Sequence, residues 1–336
     1  MRGITLNYFL RRLAIFFLTI WIAATVIWLI PHLAPGDPIS AMVARMASRS
    51  GYVENSAAII EGWKARFGLN DPLPVQYVRY LGNVVHFDFG YSMAFFPTPV
   101  SELINMALPW TIGLLLIAVT ITFILGNFLG AIMVWRRTPR LIKYIIPVGM
   151  MFTSLPSILA ALFLAYVFSF LLNWFPLIGS YDMGMKPALN LPFIGSVIQH
   201  GILPALSIVI VSFGYWTLGM RGMMITVEGE DYMSLARAKG LGPFYMLYRY
   251  MVRNAILPQI TAFAITIGTL VSGQILVEYA FSYQGMGTVI YNAILNQDYP
   301  VIEGTSFILI FVTALAVLII DLVYPLIDPR ISYGAK

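Results

Sequence analysis

The chain has 336 residues, 59% of them hydrophobic and only 10% charged, with a mean hydropathy of +0.82. A soluble chain carries roughly 25% charged residues, so this composition excludes a soluble globular domain and specifies a membrane protein. The net charge is +5, and the absence of cysteine excludes disulfides, thiolate catalysis and cysteine-ligated metals. His32, His86 and His200 are too few and too scattered to suggest a metal site.

Long apolar runs without alternation predict helices rather than the strands of an outer-membrane barrel. Six spans are predicted, at 9–30, 109–135, 142–172, 201–221, 256–280 and 305–327, making an all-α membrane protein. Arg11 and Arg12 before the first apolar run give it the look of a signal peptide. The run is about 18 residues, however, longer than a typical signal core, and Pro31-His32-Leu33-Ala34-Pro35 offers no small-x-small cleavage site. An uncleaved anchor over 1–30 is expected.

Residues 31–108 form a long excursion between the first two spans. It holds Pro35-Gly36-Asp37-Pro38, Phe67-Gly68-Leu69-Asn70-Asp71-Pro72, Asp88-Phe89-Gly90-Tyr91-Ser92 and Pro97-Thr98-Pro99-Val100. Proline-bounded turns and short amphipathic pieces predict a small ordered cap rather than a linker. It would either shield the ends of the spans or offer a docking surface. Residues 109–336 carry the remaining five spans. Two further loops on the same side, 173–200 and 281–304, are rich in glycine, proline and aromatics. No repeat at a fixed period and no inverted pair of broken spans is visible.

With the N-terminus inside, 14 of the 20 lysines and arginines fall on the cytoplasmic side. The other six, Arg45, Arg49, Lys64, Arg66, Arg79 and Lys186, lie outside, most of them in the long excursion, which counts little in such a tally. Both termini and the loop 222–255 are therefore expected in the cytoplasm of a multi-pass inner-membrane protein.

That loop is the most informative polar stretch. Glu228, Glu230 and Asp231 open a short helix where the helix dipole favours acids. Arg237 and Lys239 close it, and Gly240 stands where a left-handed C-terminal cap is wanted. Leu241 follows, and Pro243 suits the first turn of a second helix. In that helix Phe244, Leu247, Tyr248, Met251 and Ala255 share a predicted face, with Arg249 and Arg253 off it. A partner-docking surface and a basic hairpin lying on the membrane are both compatible with this pattern.

In the fifth span Ala262, Thr266, Thr269 and Gly273 recur at helical spacing, with Gly268 and Ser272 beside them. Small residues let membrane helices approach closely. The same face, with Gln274 and Glu278, is also a candidate translocation path. Glu278 and Asp321 are the acids nearest the hydrophobic zone. Asp321 is expected to pair with a cytoplasmic arginine near the interface, and Glu278 is left open.

At Ala236-Arg237-Ala238-Lys239-Gly240, followed by Arg253-Asn254-Ala255-Ile256-Leu257-Pro258, the chain resembles inner-membrane permeases of ATP-binding cassette importers. The resemblance is nearest to the first permease subunit of the oligopeptide, dipeptide and nickel group. It runs almost end to end, through Pro35-Gly36-Asp37-Pro38, Asp88-Phe89-Gly90-Tyr91-Ser92, Asp298-Tyr299-Pro300 and Asp321-Leu322-Val323-Tyr324. The initial Glu-Ala-Ala of the shorter loop form is replaced here by Asp231-Tyr232 and the Ala-Arg-Ala-Lys-Gly run.

The resemblance implies the six-helix type I importer permease fold and a coupling loop that inserts into a cleft on an ATPase subunit. In it, Ala236, Ala238 and Gly240 would allow close approach, Tyr232 and Leu235 would anchor, and Arg237 and Lys239 would pair with acids. It also implies a second, homologous permease in a heterodimer, two ATPase subunits and an external solute-binding protein. No role with nucleic acid is implied. No lysine follows a glycine, so a phosphate-binding loop is absent and ATP with Mg would sit on the partners. The chain is thus not expected to be an enzyme or to hold a cofactor or metal. Peptides are the first substrate expectation, with oligosaccharides of the cello-oligosaccharide or β-glucoside type and nickel as alternatives. An ion-coupled secondary transporter finds poor support in the sparse buried titratable residues, and an intramembrane enzyme finds none.

Overall fold

The computed structural model describes residues 6–33, 39–40, 43, 56–66, 70–135, 137–269 and 274–327. In chain order the helices are α1 (Leu6–Leu33), α2 (Ser56–Arg66), α3 (Leu73–Val85), α4 (Val100–Val134), α5 (Arg140–Met150) and α6 (Ser157–Leu164). There follow α7 (Leu191–Glu228), α8 (Asp231–Ala238), α9 (Arg253–Thr269), α10 (Ile275–Ala280), α11 (Met286–Asn296) and α12 (Tyr299–Ile327). Among the described residues the only extended pairing outside helices is an isolated bridge between Tyr91 and Pro99.

Four helices are long and apolar enough to cross a membrane: Leu6–Leu33, Val100–Val134, Leu191–Glu228 and Tyr299–Val323. A fifth crossing arises if the bent pair Ile146–Ser154 and Ser157–Leu171 is one span. The all-helical class therefore holds, while the count among the described residues is four or five, not six. The predicted span 256–280 falls on α9 and α10, and 270–273 lie outside the described residues.

Within the predicted span 142–172 the helix pair is bent by 109°. The cause is local. Pro156 denies Leu155 the helical region, and Leu155 sits extended at φ −84° and ψ 139°. The chain tightens into a 3-10 turn at Met151–Ser154 before the break and restarts at Ser157. It finishes in a π turn over Ala165–Leu171.

Two compact units emerge, residues 1–111 with 284–336, and residues 112–283. In the first, α1 packs along α12. The Arg12 guanidinium lies 2.7 Å from the Asp321 carboxylate, and the Tyr8 hydroxyl donates to the Asp321 carbonyl at 2.9 Å. This is the pairing expected of Asp321. The excursion between the first two spans contributes α3 to the same unit, where the Tyr77 and Thr25 hydroxyls meet at 2.7 Å. Asp298, buried between α11 and α12, accepts from the Ser92 hydroxyl and from the Met93 and Ala94 N–H groups at 3.0 Å. The loop 88–99 is thereby fastened to the start of α12.

The second unit is built around α7. The Asn190 side chain caps this helix by accepting from the Phe193 N–H at 2.9 Å, and Pro192 follows in the first turn. With 38 residues it is about 57 Å long at 1.5 Å per residue, nearly twice the ~30 Å hydrocarbon thickness. Glycines let neighbouring elements close on it. A Cβ on Gly126 would collide with the Trp216 Cβ, and one on Gly130 would stand 2.5 Å from the Thr217 carbonyl oxygen. These two glycines are a Gly-x-x-x-Gly pair in α4. Gly214 admits Thr153, and Gly219 admits Gln259 of α9. Near one end of α7 the core comprises Leu115, Ala118, Ala161, Leu164, Leu203 and Phe281.

Candidate functional site

At the far end of α7 the chain turns through Gly229 and forms α8, whose eight residues would be marginal as an isolated helix. Tertiary packing holds it. Met233, 1% exposed, presses into a cluster with Met220, Met224 and Val227 of α7 and with Met251 and Ala255, and Ala236 is buried to 2% exposure on the same stripe. Burying a Met side chain contributes roughly 1.5–3 kcal/mol.

The C-terminus of α8 closes as the sequence predicts. Gly240 has φ +72°, its N–H donates to the Arg237 carbonyl at 2.9 Å, and the Leu241 N–H donates to the Ala236 carbonyl at 3.3 Å. These are the two bonds of a Schellman cap. The start of α8 differs from expectation. Glu228 is the last residue of α7, not the opening of α8. Glu230 is the N-cap without a side-chain hydrogen bond, and Asp231 alone supplies the acid of the first turn. Glu228 instead reaches back 2.8 Å to Arg237.

The outward face of α8 carries Asp231, Tyr232, Leu235, Arg237, Ala238 and Lys239, all exposed. Ala236, expected to give a partner close approach, faces inward. The reason is its three-residue spacing from Met233, which places both on the stripe that seats the helix. Burial, helped by the Glu230 carboxylate and offset by an Asn254 hydrogen bond, raises the Tyr232 phenol above its ordinary pKa.

After Gly242 a helical turn at Pro243–Tyr245 leads into a π turn over Met246–Val252 and then α9. Pro243 takes the first position, as predicted. The predicted shared face does not hold together. Leu247, Met251 and Ala255 pack inward, whereas Phe244 and Tyr248 are each 68% exposed. The wide turn interrupts the 3.6-residue period on which that face rested. Arg249 and Arg253 are exposed on the same segment. Leu235, Phe244, Tyr245 and Tyr248 thus present apolar surface beside Arg237, Lys239, Arg249 and Arg253.

The other candidate group is only partly placed. The half-buried Thr266 donates to the Ala262 carbonyl of its own helix at 2.8 Å. Thr269 ends α9, and Ser272 and Gly273 lie outside the described residues. Gln274 begins α10 with a buried Oε1 that has no hydrogen-bond partner among the described residues. Glu278 is 1% exposed beside Tyr283, whose phenol is pushed up to about 12 by burial first and the Glu278 charge second. No group of three or more metal-ligating side chains occurs among the described residues.

Residues 126–333 match the family described as the binding-protein-dependent transport system inner membrane component. The chain belongs to that family. This permease is a multi-pass component of a transport system that works with other subunits. It is 33% identical over 336 residues to the oligopeptide transport system permease protein AppB of Bacillus subtilis, covering 97% of this chain and 99% of that one. A protein named as a peptide permease in Brucella suis biovar 1 is 34% identical over 330 residues, with the same coverage. One named as a peptide ABC transporter permease in Sinorhizobium fredii is 30% identical over 328 residues, again covering 97% and 99%.

Sequence reasoning missed the Gly126–Gly130 pair that fits α4 against α7. Its signal was present, two glycines four apart inside an apolar run. It also missed Met233 as the anchor of α8, because one methionine in a polar helix has no distinguishing pattern.

Proposed function

We propose that this permease and a second, homologous permease form the membrane path of an ATP-driven importer for peptides. The carrying observation is α8. It is a capped helix seated at the end of one continuous membrane helix, with an apolar and basic face turned outward. In this reading two partner ATPases bind ATP and Mg and receive α8 and its flanking turn in a surface cleft. This chain itself needs no cofactor.

ATP binding closes the ATPases and moves α8. Because Met233 locks α8 onto the end of α7, the motion passes into that helix and, through Gly126 and Gly130, into α4. The permease pair then opens outward to a docked solute-binding protein, and hydrolysis resets it. The distribution of lysines and arginines supports a cytoplasmic position for both termini and α8. The peptide cargo is supported by the names of the relatives, over nearly the whole chain.

Purification from membranes in mild detergent, followed by reconstitution, tests this. Two ATP-binding subunits and a second permease are expected to co-purify. The reconstituted complex, with its binding protein, is expected to take up peptides on ATP addition in preference to cello-oligosaccharides or Ni²⁺. Uptake by this chain alone under an ion gradient would overturn the reading.

A further inference from the structure

The π turn Ala165–Leu171 and the returning loop to Asn190 border an open pocket of about 430 Å³ lined by Phe170, Asn173, Trp174, Phe175, Asp182 and Gln199 among others. Small-molecule sites occupy roughly 300–1,000 Å³, so the volume suits a compact ligand. The cavity stands at the opposite end of α7 from α8. Gln199 and Glu228 are separated by about 44 Å along the helix at 1.5 Å per residue.

Its walls are fixed by hydrogen bonds rather than left to a loose loop. The Trp174 and Phe175 N–H groups both donate to the Phe168 carbonyl, at 2.9 and 3.4 Å. The Ser169 hydroxyl donates to the Pro176 carbonyl at 3.2 Å, and the Gly179 N–H to the Phe281 carbonyl at 2.9 Å. The Asp182 N–H donates to the Ser196 hydroxyl at 2.8 Å.

The chemistry of the lining is one-sided. Among the described residues that line it, Asp182 is the one acidic side chain, 56% exposed, and there is no lysine or arginine. His200 lies behind it, Nε2 at 3.9 Å, with Nδ1 held at 2.8 Å by the Ser196 carbonyl. The same pocket is lined by the rings of Phe170 and Trp174, exposed by 65% and 61%. An anion would meet only the carboxylate and ring faces, both repulsive. An acyl chain would gain nothing from Asp182, Asn173 and Gln199. A carboxylate and aromatic rings lining one pocket supply what holds an organic cation, charge and cation–π attraction together.

We propose that this cavity binds the ammonium group of the transported molecule, with Asp182 as counter-ion, Phe170 and Trp174 as its aromatic walls, and Asn173 and Gln199 as hydrogen-bonding sides. Taking that molecule to be a peptide rests on the proposed function. The recognition of an ammonium group does not.

The test uses the full chain in lipid nanodiscs, titrated with lysine amide and with N-acetyl-norleucine amide as its uncharged counterpart, read by tryptophan fluorescence and calorimetry. Lysine amide is expected to bind and the uncharged probe to bind at least tenfold more weakly. Asp182→Asn is expected to weaken lysine amide by about tenfold or more, and Trp174→Leu to abolish the fluorescence change. Asp71→Asn, at an acid paired with Arg79 in the other unit, serves as the control and leaves binding unchanged. Equal binding of both probes, or unaltered binding to Asp182→Asn, overturns the proposal. Peptide uptake by the assembled importer is measured in parallel. Lost cation binding with intact peptide uptake sinks the site alone, and cation binding without peptide uptake sinks only the peptide reading.

Discussion

The Arg237 guanidinium lies 2.8 Å from the Glu228 carboxylate, tying the last turn of α8 back to the last residue of α7. The side chains are 40% and 29% exposed, so the pair is a surface ion pair and contributes roughly 0.2–1 kcal/mol. Its consequence is orientation. Arg237 is engaged within the chain, which competes with its expected use as a partner for ATPase acids. If the internal pair sets the angle of α8, Arg237→Ala and Glu228→Gln lower ATP-driven uptake to a similar, modest extent. The double variant is then no worse than either single one, the non-additivity of residues acting through one contact. Additive losses in reconstituted transport assays would show that Arg237 works on a partner instead.

Gly240 separates backbone strain from crowding. Its φ of +72° is a left-handed conformation, yet a Cβ built there meets nothing within 4 Å. Any effect of substitution is therefore conformational, roughly 1–2 kcal/mol for a side-chain-bearing residue. Gly240→Val is expected to loosen the cap of α8 and lower uptake several-fold while the chain stays in the membrane and ATP hydrolysis continues. Gly240→Asn, which tolerates this conformation better, should retain most uptake. Similar behaviour of the two variants would remove the cap from the coupling mechanism.

Much of this was legible in the residues, and the failures have physical causes. The cap at Gly240 and the proline at the start of the following turn rest on local chemistry, and the pairing of Asp321 rests on the cost of leaving an acid unpaired near the hydrophobic zone. Span boundaries rest on hydropathy, which cannot register that Pro156 turns an apolar run through 109°. The inward turn of Ala236 depends on which stripe of α8 meets α7, and that is decided by the cluster around Met220 and Met224, remote in sequence. The cavity beside Asp182 depends on hydrogen bonds from the loop to Phe168 and Phe281, which no periodicity announces.

Gly130 tests the fit of α4 against α7. A Cβ there would stand 2.5 Å from the Thr217 carbonyl oxygen and 2.8 Å from the Met220 Cβ, so backbone would have to move. Overpacking of this kind costs roughly 1–3 kcal/mol. Gly130→Ala is expected to lower the thermal unfolding midpoint of the purified chain, and Gly130→Leu to lower it further. Gly113 in the same helix meets nothing within 4 Å, so Gly113→Ala is the neutral control. Equal midpoints for the two alanine variants would show that the helices separate at no cost.

Asp298 carries the strongest prediction about the fastened loop 88–99. One carboxylate oxygen accepts from the Met93 N–H, and the other from the Ala94 N–H and the Ser92 hydroxyl. The group is 1% exposed, so water does not replace these bonds on truncation. Ser92→Ala removes two hydrogen bonds, the one its hydroxyl donates to Asp298 and the one it accepts from the Phe95 N–H at 2.9 Å, and is expected to cost about 1–2 kcal/mol. Asp298→Ala strands both N–H groups and the hydroxyl, and is expected to cost about 3 kcal/mol or more. Asn is no substitute, because its NH₂ would face an N–H donor whichever oxygen position it takes. Asp298→Asn should therefore resemble Asp298→Ala in thermal unfolding and in proteolytic nicking between residues 88 and 99, while Ser92→Ala falls between these variants and the parent. Nicking in Asp298→Ala no faster than in Ser92→Ala would mean that contacts other than this carboxylate hold the loop.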